Sequence, residues 1–459
     1  MERRRFLKDS GMLCLLGMCN IVPGSCSSQS PGKIYIADTA SAVEKEPLLQ
    51  PFGFKGGYLS ELWQTAARLS GSGNNKVVGL GTQSVLWSDQ KVFLNHSETE
   101  GNAMMYAITQ RALEILKGQY YTNPVELLES IMDELLAYGK KVTGNPHLRK
   151  TFVLNALVAV DNALWLLYAK ENGITGFDQM IPAEYRPTFS EKHQKIAAIP
   201  LISYGTTPEQ LKQTVDEGYF FMKIKIGQPG SQEEMLQKDT ERLSALHEML
   251  KDVRTPHTQS GKLPYYFDAN GRYETKETFL RFLDHAQKIG AFEQIAIIEE
   301  PFPEEHETDV SDIPVRLAAD ESAHTDVDTE KRIEMGYRAV ALKPIAKTLS
   351  MTMKIAKAAT DRDVPCFCAD LTVNPVLVEW NRNIAARLKP FPGLQNLGLL
   401  ESNGHQNYRN WEKMMGYLPD RNKPWVNVSK GLFTTGEEFF KDGGGIFQPS
   451  EHYNELFAN

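Results

Sequence analysis

Cysteine is scarce in this chain of 459 residues: there are five, and Cys14, Cys19 and Cys26 fall within the first 26 positions. The other two, Cys366 and Cys368, stand two apart on an expected strand, facing one way and too awkwardly placed to bridge. A disulfide framework and a cysteine-type zinc site are therefore excluded. Basic charge is not in excess either. Fifty Lys and Arg are interspersed with 58 Asp and Glu, for a net charge of −8. That argues against a nucleic-acid-binding surface, which needs clustered Lys and Arg. No apolar run reads as long enough to span a bilayer, so no membrane span is expected. Low-complexity tracts are missing, as is any repeat beyond a strand–helix alternation. What is there, 41% apolar and 24% charged residues, is ordinary for a packed globular protein, and the length allows two or three domains.

The first 26 residues read as an export signal. Arg3-Arg4-Arg5 is a twin-arginine type of run, and the apolar segment 11–22 that follows has the length of a signal core. Cys26, after Pro23-Gly24-Ser25, is a candidate for lipidation, although the proline fits such a site poorly. The expectation is an exported protein, periplasmic or lipid-anchored; without the signal it would be cytoplasmic.

Residues 27–197 read as one α+β unit. Strands are expected at 33–37, 76–80 and 84–87, and helices at 101–116, 124–138 and 152–171, from apolar residues at three- and four-residue intervals. Polar stretches at 53–58, 70–75 and 95–102 read as loops and as candidates for a lid. From residue 198 the pattern changes to strand–helix alternation. Eight short apolar strands are expected at 199–203, 220–226, 265–268, 295–299, 315–319, 339–343, 365–368 and 396–400, with helices between most of them. That pattern over 198–405 fits a (β/α) barrel. Residues 255–264 look like a polar insertion before the third strand. The segment 406–459 is too aromatic for a disordered tail and is expected to pack back on the N-terminal unit.

In such a barrel the active site lies at the C-terminal strand ends. In order, those ends supply Lys223 and Lys225, Asp268, Glu299, Asp320, Lys343 and Glu401. Lys223 and Lys225 are two apart on a strand and share one face. Two like charges held together depress each other's pKa, which suits a lysine base. Three carboxylates on consecutive strands would repel one another unless a hard cation sits among them, and all-oxygen ligation favours Mg²⁺, with Mn²⁺ as the alternative. Lys225 and Lys343 would flank a substrate carbon from opposite sides. A carboxylate held at the metal could then lose its α-proton to one lysine, the metal stabilising the enediolate.

The motifs Lys223-x-Lys225, Asp268-Ala269-Asn270, Glu299-Glu300-Pro301, Asp320-Glu321-Ser322 and Lys343 resemble, as a set, those of the mandelate racemase/muconate lactonizing enzyme family of the enolase superfamily, nearer its muconate-lactonizing branch. The resemblance runs from about residue 27 to the C-terminus. It implies a modified TIM barrel, (β/α)7β, under an N-terminal α+β capping domain, with one Mg²⁺ held by Asp268, Glu299 and Asp320. It implies Lys225 and Lys343 as the base pair, with Lys223 beside them. A lysine base working with Mg²⁺ is the known arrangement of such sites. Cap loops, here around 55–58 and 96–102, would set specificity, and relatives commonly form homo-oligomers.

Three departures bear on the substrate. Pro344 directly follows Lys343, where the family more often has a glycine-containing turn. Strand eight ends Glu401-Ser402-Asn403 rather than in the Asp-x-Asp that holds an α-ammonium group in dipeptide epimerases. No histidine follows strand seven in the pattern of the acid-sugar dehydratases. Asn270, Glu401 and Asp370 are the candidates for contacting a small carboxylate substrate, Asp370 having helix capping as its other role. Racemisation or epimerisation is the simplest outcome for two opposed lysines. The alternatives are a lyase, by elimination or cycloisomerisation, and an exported binding protein without turnover.

Overall fold

The computed structural model describes residues 32–54 and 57–458; the expected export signal and Cys26 lie outside them. Three antiparallel strands open the fold: Asp38–Phe54 pairs with Gly57–Ser70, which pairs in turn with Lys76–Gln83. Three long helices follow. Glu98–Leu116 starts at a capping box between Ser97 and Glu100, and Pro124–Thr143 starts at Asn123 with proline in its first turn. Lys150–Glu171 packs on the third strand. There Gly79 permits near-contact of backbones: a Cβ at that position would lie 2.2 Å from both the Ala159 carbonyl and the Ala163 amide nitrogen.

Several expectations for this region are corrected. Residues 53–54 and 57–58 belong to a hairpin rather than a loop, and 98–102 are already helix. The run expected as a strand at 84–87 forms the short helix Val85–Ser88, buried throughout. Lys150–Glu171 is long and apolar enough to cross a membrane, against the reading that no such run exists. However, 89% of its apolar window is buried inside the protein, which makes it a core helix.

The second layer is a parallel barrel. Its first strand is Lys195–Ile199, continued after Pro200 as Leu201–Ile202. The others are Met222–Lys225, Tyr265–Asp268, Ile295–Glu299, Leu317–Ala319, Ala339–Leu342, Cys366–Cys368 and Gly398–Glu401. Each pairs in parallel with the next. The eighth pairs with Lys195–Ile199 and the second with Leu201–Ile202, so the interrupted first strand closes the cylinder. Proline lacks the ladder N–H, which accounts for the interruption.

Helices follow most strands, but the connection 300–316 has none. Its three prolines, Pro301, Pro303 and Pro314, and its many acids rule out an amphipathic helix there. The polar insertion lies at the N-terminal end of the barrel, where Thr258 bridges Leu394 just before strand eight. The C-terminal segment contacts both layers. Leu432–Thr434 pairs antiparallel with Lys195–Ala197, whereas Phe457 and His452 meet Arg68 and Glu44 of the N-terminal hairpin.

Candidate functional site at the barrel mouth

Register sets the site. Lys225 lies beside Asp268, and Asp268 beside Glu299, on adjacent strands. Residues two apart share a face, so Lys223 points inward below Lys225. The Lys223 ammonium is 3.0 Å from Asp268, 3.0 Å from Glu299 and 3.2 Å from Glu401. Lys225 Nζ donates to Asp268 Oδ2 at 2.7 Å and to Asn270 Oδ1 at 2.6 Å. Across the barrel, four strands away, Lys343 pairs with Asp320. Asp268, Glu299, Asp320 and all three lysines are buried. Asn270 and Glu300, directly beyond strand ends three and four, take left-handed backbone at φ 47° and 42°, which turns the chain sharply out of the barrel.

The carboxylates that converge most closely are Glu299, Asp320 and Glu321, each with an oxygen within 4.8 Å of the others. Glu321 thus joins the expected ligands Glu299 and Asp320, while Asp268 is drawn to the two lysines of strand two. This all-oxygen set fits a hard divalent cation such as Mg²⁺. Asp320 Oδ1 supports the fit: it is buried without a hydrogen-bond donor, the Lys347 ammonium lying 3.5 Å away.

Charge in the site is finely opposed. Burial works to raise the Asp268 carboxyl, but Lys223 and Lys225 outweigh it and hold it well below the ordinary range. Lys343 and Lys347 do the same for Asp320. Glu299 goes the other way, pushed up by burial and by Asp268. Burial disfavours the charged form of Lys223, yet Asp268, Glu299 and Glu401 more than compensate, so its pKa is raised. The expectation that its lysine neighbour would depress Lys223 gave these carboxylates too little weight. Burial and neighbouring Glu401 push Asp370 up to about 7. Its oxygens accept backbone N–H groups from Leu371, Val373 and Asn403, tying the loops after strands seven and eight together. The helix Pro375–Ala385 is capped by Asn374, not by Asp370.

A cavity lies over these groups, its walls including Asn270, Asp370 and Glu401 as well as the lysines. From the N-terminal layer come Leu48, Leu59, Leu62, Ser84 and Trp87, not residues 96–102; Lys55 and Gly56 are outside the described residues. Sequence reasoning missed four contributors. Trp87 covers Lys343, its ring centre 4.7 Å from Nζ. The Tyr266 hydroxyl donates to Glu299. Arg149 reaches from the N-terminal layer to Glu304 and to the Glu321 carbonyl. Lys347, one helical turn beyond Lys343, donates to the Asp320 carbonyl at 2.6 Å. Spacing could have found two of these: Tyr266 is two before Asp268, and Lys347 is four after Lys343 behind a helix-starting proline.

Residues 206–422 match the family described as Enolase C-terminal domain-like. No curated protein sequence matches the chain. Among solved structures, N-succinyl Arg/Lys racemase from Bacillus cereus is 15% identical, covering 93% of this chain and 98% of its own, with a TM-score of 0.62. Dipeptide epimerase from Enterococcus faecalis, complexed with Mg and L-Leu-L-Tyr, is 14% identical, with 90% and 99% covered and a TM-score of 0.59. L-Talarate dehydratase from Polaromonas sp., complexed with Mg and L-glucarate, is 17% identical, with 88% and 93% covered and a TM-score of 0.59. Residues 206–422 therefore carry an Enolase C-terminal domain-like region, and the chain shares its fold with these enzymes.

Proposed function

We propose that this protein is an Mg²⁺-dependent enzyme that removes the proton α to a carboxylate, and that it acts as a racemase or epimerase. One observation carries the reading: Lys225 and Lys343 line one cavity from opposite sides of the barrel. Asp268, Glu299 and Asp320, with Glu321 beside them, would hold the cation. When bound, it supplies the positive charge that a carboxylate needs as its α-proton leaves. Lys223, anchored by three carboxylates, stays an ammonium and orients the substrate carboxylate by charge. One of Lys225 and Lys343 takes the proton from one face; the other returns a proton to the opposite face. Trp87 and the buried walls keep bulk water from both amines. Likeness to a racemase and an epimerase supports this outcome, while likeness to a dehydratase keeps elimination on the same site as the alternative.

The test is proton exchange in D₂O with the Mg²⁺-loaded protein. Deuterium should enter the α-position with inversion and without loss of water. Lys225→Ala and Lys343→Ala should each abolish racemisation and leave exchange with only one enantiomer. Elimination products would assign a lyase instead, and no exchange with any acid, unaffected by either substitution, would leave a binding protein. The proposal extends to export, on the strength of Arg3-Arg4-Arg5 and the apolar run after it, and to a homo-oligomer. Cell fractionation and light scattering check these two points.

A further inference from the structure

Apart from Asp370, the charged side chains that line the cavity over the barrel mouth gather at its floor. Its floor carries Lys223, Lys225 and Lys343 with Asp268, Glu321 and Glu401. Its other surfaces are formed by Leu48, Leu59 and Leu62 of the hairpin, Trp87, Leu201 of strand one and Leu371 after strand seven. The three hairpin leucines are nearly fully buried and belong to one apolar cluster with Leu86, Tyr408 and Met414. That cluster backs the roof from outside. The Tyr408 hydroxyl donates to the Thr372 carbonyl at 2.6 Å and accepts from Gln64 at 2.9 Å, which pins the hairpin to the barrel loops. The roof is therefore a packed surface, with little freedom to reshape itself around a polar guest.

The polar side chains between floor and roof are already committed. Asp370 accepts three backbone N–H groups. The Thr372 hydroxyl donates to Asn403 Oδ1 at 2.8 Å and accepts from Asn407 at 2.9 Å. Asn403 Nδ2 donates to Glu401 at 3.1 Å. Ser84 adds one hydroxyl to the wall. Among the described residues, no basic side chain lines the cavity outside the floor. A second carboxylate on the substrate would lose its water under the roof and gain no counter-charge. A row of hydroxyls would fare similarly, each unpartnered one weakening binding by roughly tenfold. Each methylene buried there strengthens binding roughly three- to fourfold.

We infer that the substrate is a monocarboxylate whose α-carbon bears an uncharged aliphatic group, seated under Leu48, Leu59 and Leu62. The inference rests on the proposed function for placing the carboxylate at the floor. It selects against polyhydroxy acids and against acids with a charged tail.

The test compares four acids that share an α-hydroxy carboxylate and differ in the tail: 2-hydroxyhexanoate, lactate, gluconate and 2-hydroxyglutarate. Binding to the Mg²⁺-loaded full chain is measured by calorimetry, and α-deuterium uptake in D₂O is followed in parallel. We expect 2-hydroxyhexanoate to bind about tenfold or more tightly than each of the other three. Leu62→Asn should shrink that preference at least severalfold, and Leu62→Met should keep it, both variants melting cooperatively. Gluconate or 2-hydroxyglutarate binding as tightly as 2-hydroxyhexanoate would overturn the inference, as would no binding by any of the four. The two readings fail separately. Preferred binding of 2-hydroxyhexanoate with no exchange from any acid sinks the proton-abstraction reading and leaves this one. Exchange confined to gluconate sinks this one and leaves the other.

Discussion

Lys347 and Asp320 are joined twice: the ammonium donates to the Asp320 backbone carbonyl at 2.6 Å and lies 3.5 Å from its Oδ1. Lys347 is fully buried, and burial lowers its pKa despite Asp320 beside it. The contact fixes the end of strand five from the first helical turn after strand six. Lys347→Met should strip the carbonyl of its charged donor, leaving it only the Ala323 N–H at 3.1 Å, and cost about 1–3 kcal/mol of stability. Urea unfolding checks this, and an unchanged midpoint would show that the contact contributes nothing.

Removing charge from the proposed ligands should abolish metal binding. Asp268→Asn, Glu299→Gln and Asp320→Asn each replace an anionic oxygen donor by a neutral amide in a site built for a hard cation. Calorimetric titration with Mg²⁺ should show no saturable heat for any of them. Full affinity in all three variants would contradict the ligand assignment.

Acid should loosen the contact between Arg149 and the loop after strand four. Burial acts to raise the Glu304 carboxyl, but His324 and Arg149 prevail and bring it from 4.5 down to about 2. A depressed carboxyl stabilises the fold above its unfolded pKa, and that contribution is lost as pH falls from about 4.5 to about 2. It amounts to about 2–3 kcal/mol. His324 is itself lowered, chiefly by burial, so its protonation below its ordinary value works in the same direction. Glu304→Gln should flatten the stability profile between pH 5 and pH 2, as followed by thermal melts in mixed buffer.

Gly79→Ala should destabilise the protein by about 1–3 kcal/mol through overpacking. The added methyl meets backbone atoms of Lys150–Glu171 at 2.2 Å, and backbone cannot rotate aside. Gly73→Ala, where nothing lies within 4 Å, isolates the cost of placing alanine in a left-handed conformation at φ 65°. A larger loss at Gly73 than at Gly79 would overturn the packing explanation.

Much of the barrel was legible because most strands are short apolar runs ending at or just before a charged residue, and parallel register then sets those ends side by side. Asp268, Glu299 and Asp320 could be found this way. Their partners could not. That Asp268 turns toward two lysines while Glu321 turns toward Asp320 depends on side-chain rotamers, which spacing does not fix. The hairpin 38–70 was missed because its first strand is largely polar and carries Pro47, so it lacks the alternation of a half-buried strand. Val85–Ser88 was misread because four apolar or small residues fit one buried helical turn as well as a strand. The leucine roof was invisible for a related reason: Leu48, Leu59 and Leu62 face the barrel only once the hairpin has folded over it.

The break at Pro200 has a consequence for how the molecule is made. By dividing the first barrel strand, it leaves Lys195–Ala197 with an edge that Leu432–Thr434 fills. Those residues leave the ribosome after the whole of the cylinder, whose last strand is Gly398–Glu401. A nascent chain therefore carries an open seam until residues 432–434 emerge, and truncation before Leu432 would keep that seam as a template for a neighbouring molecule's strand.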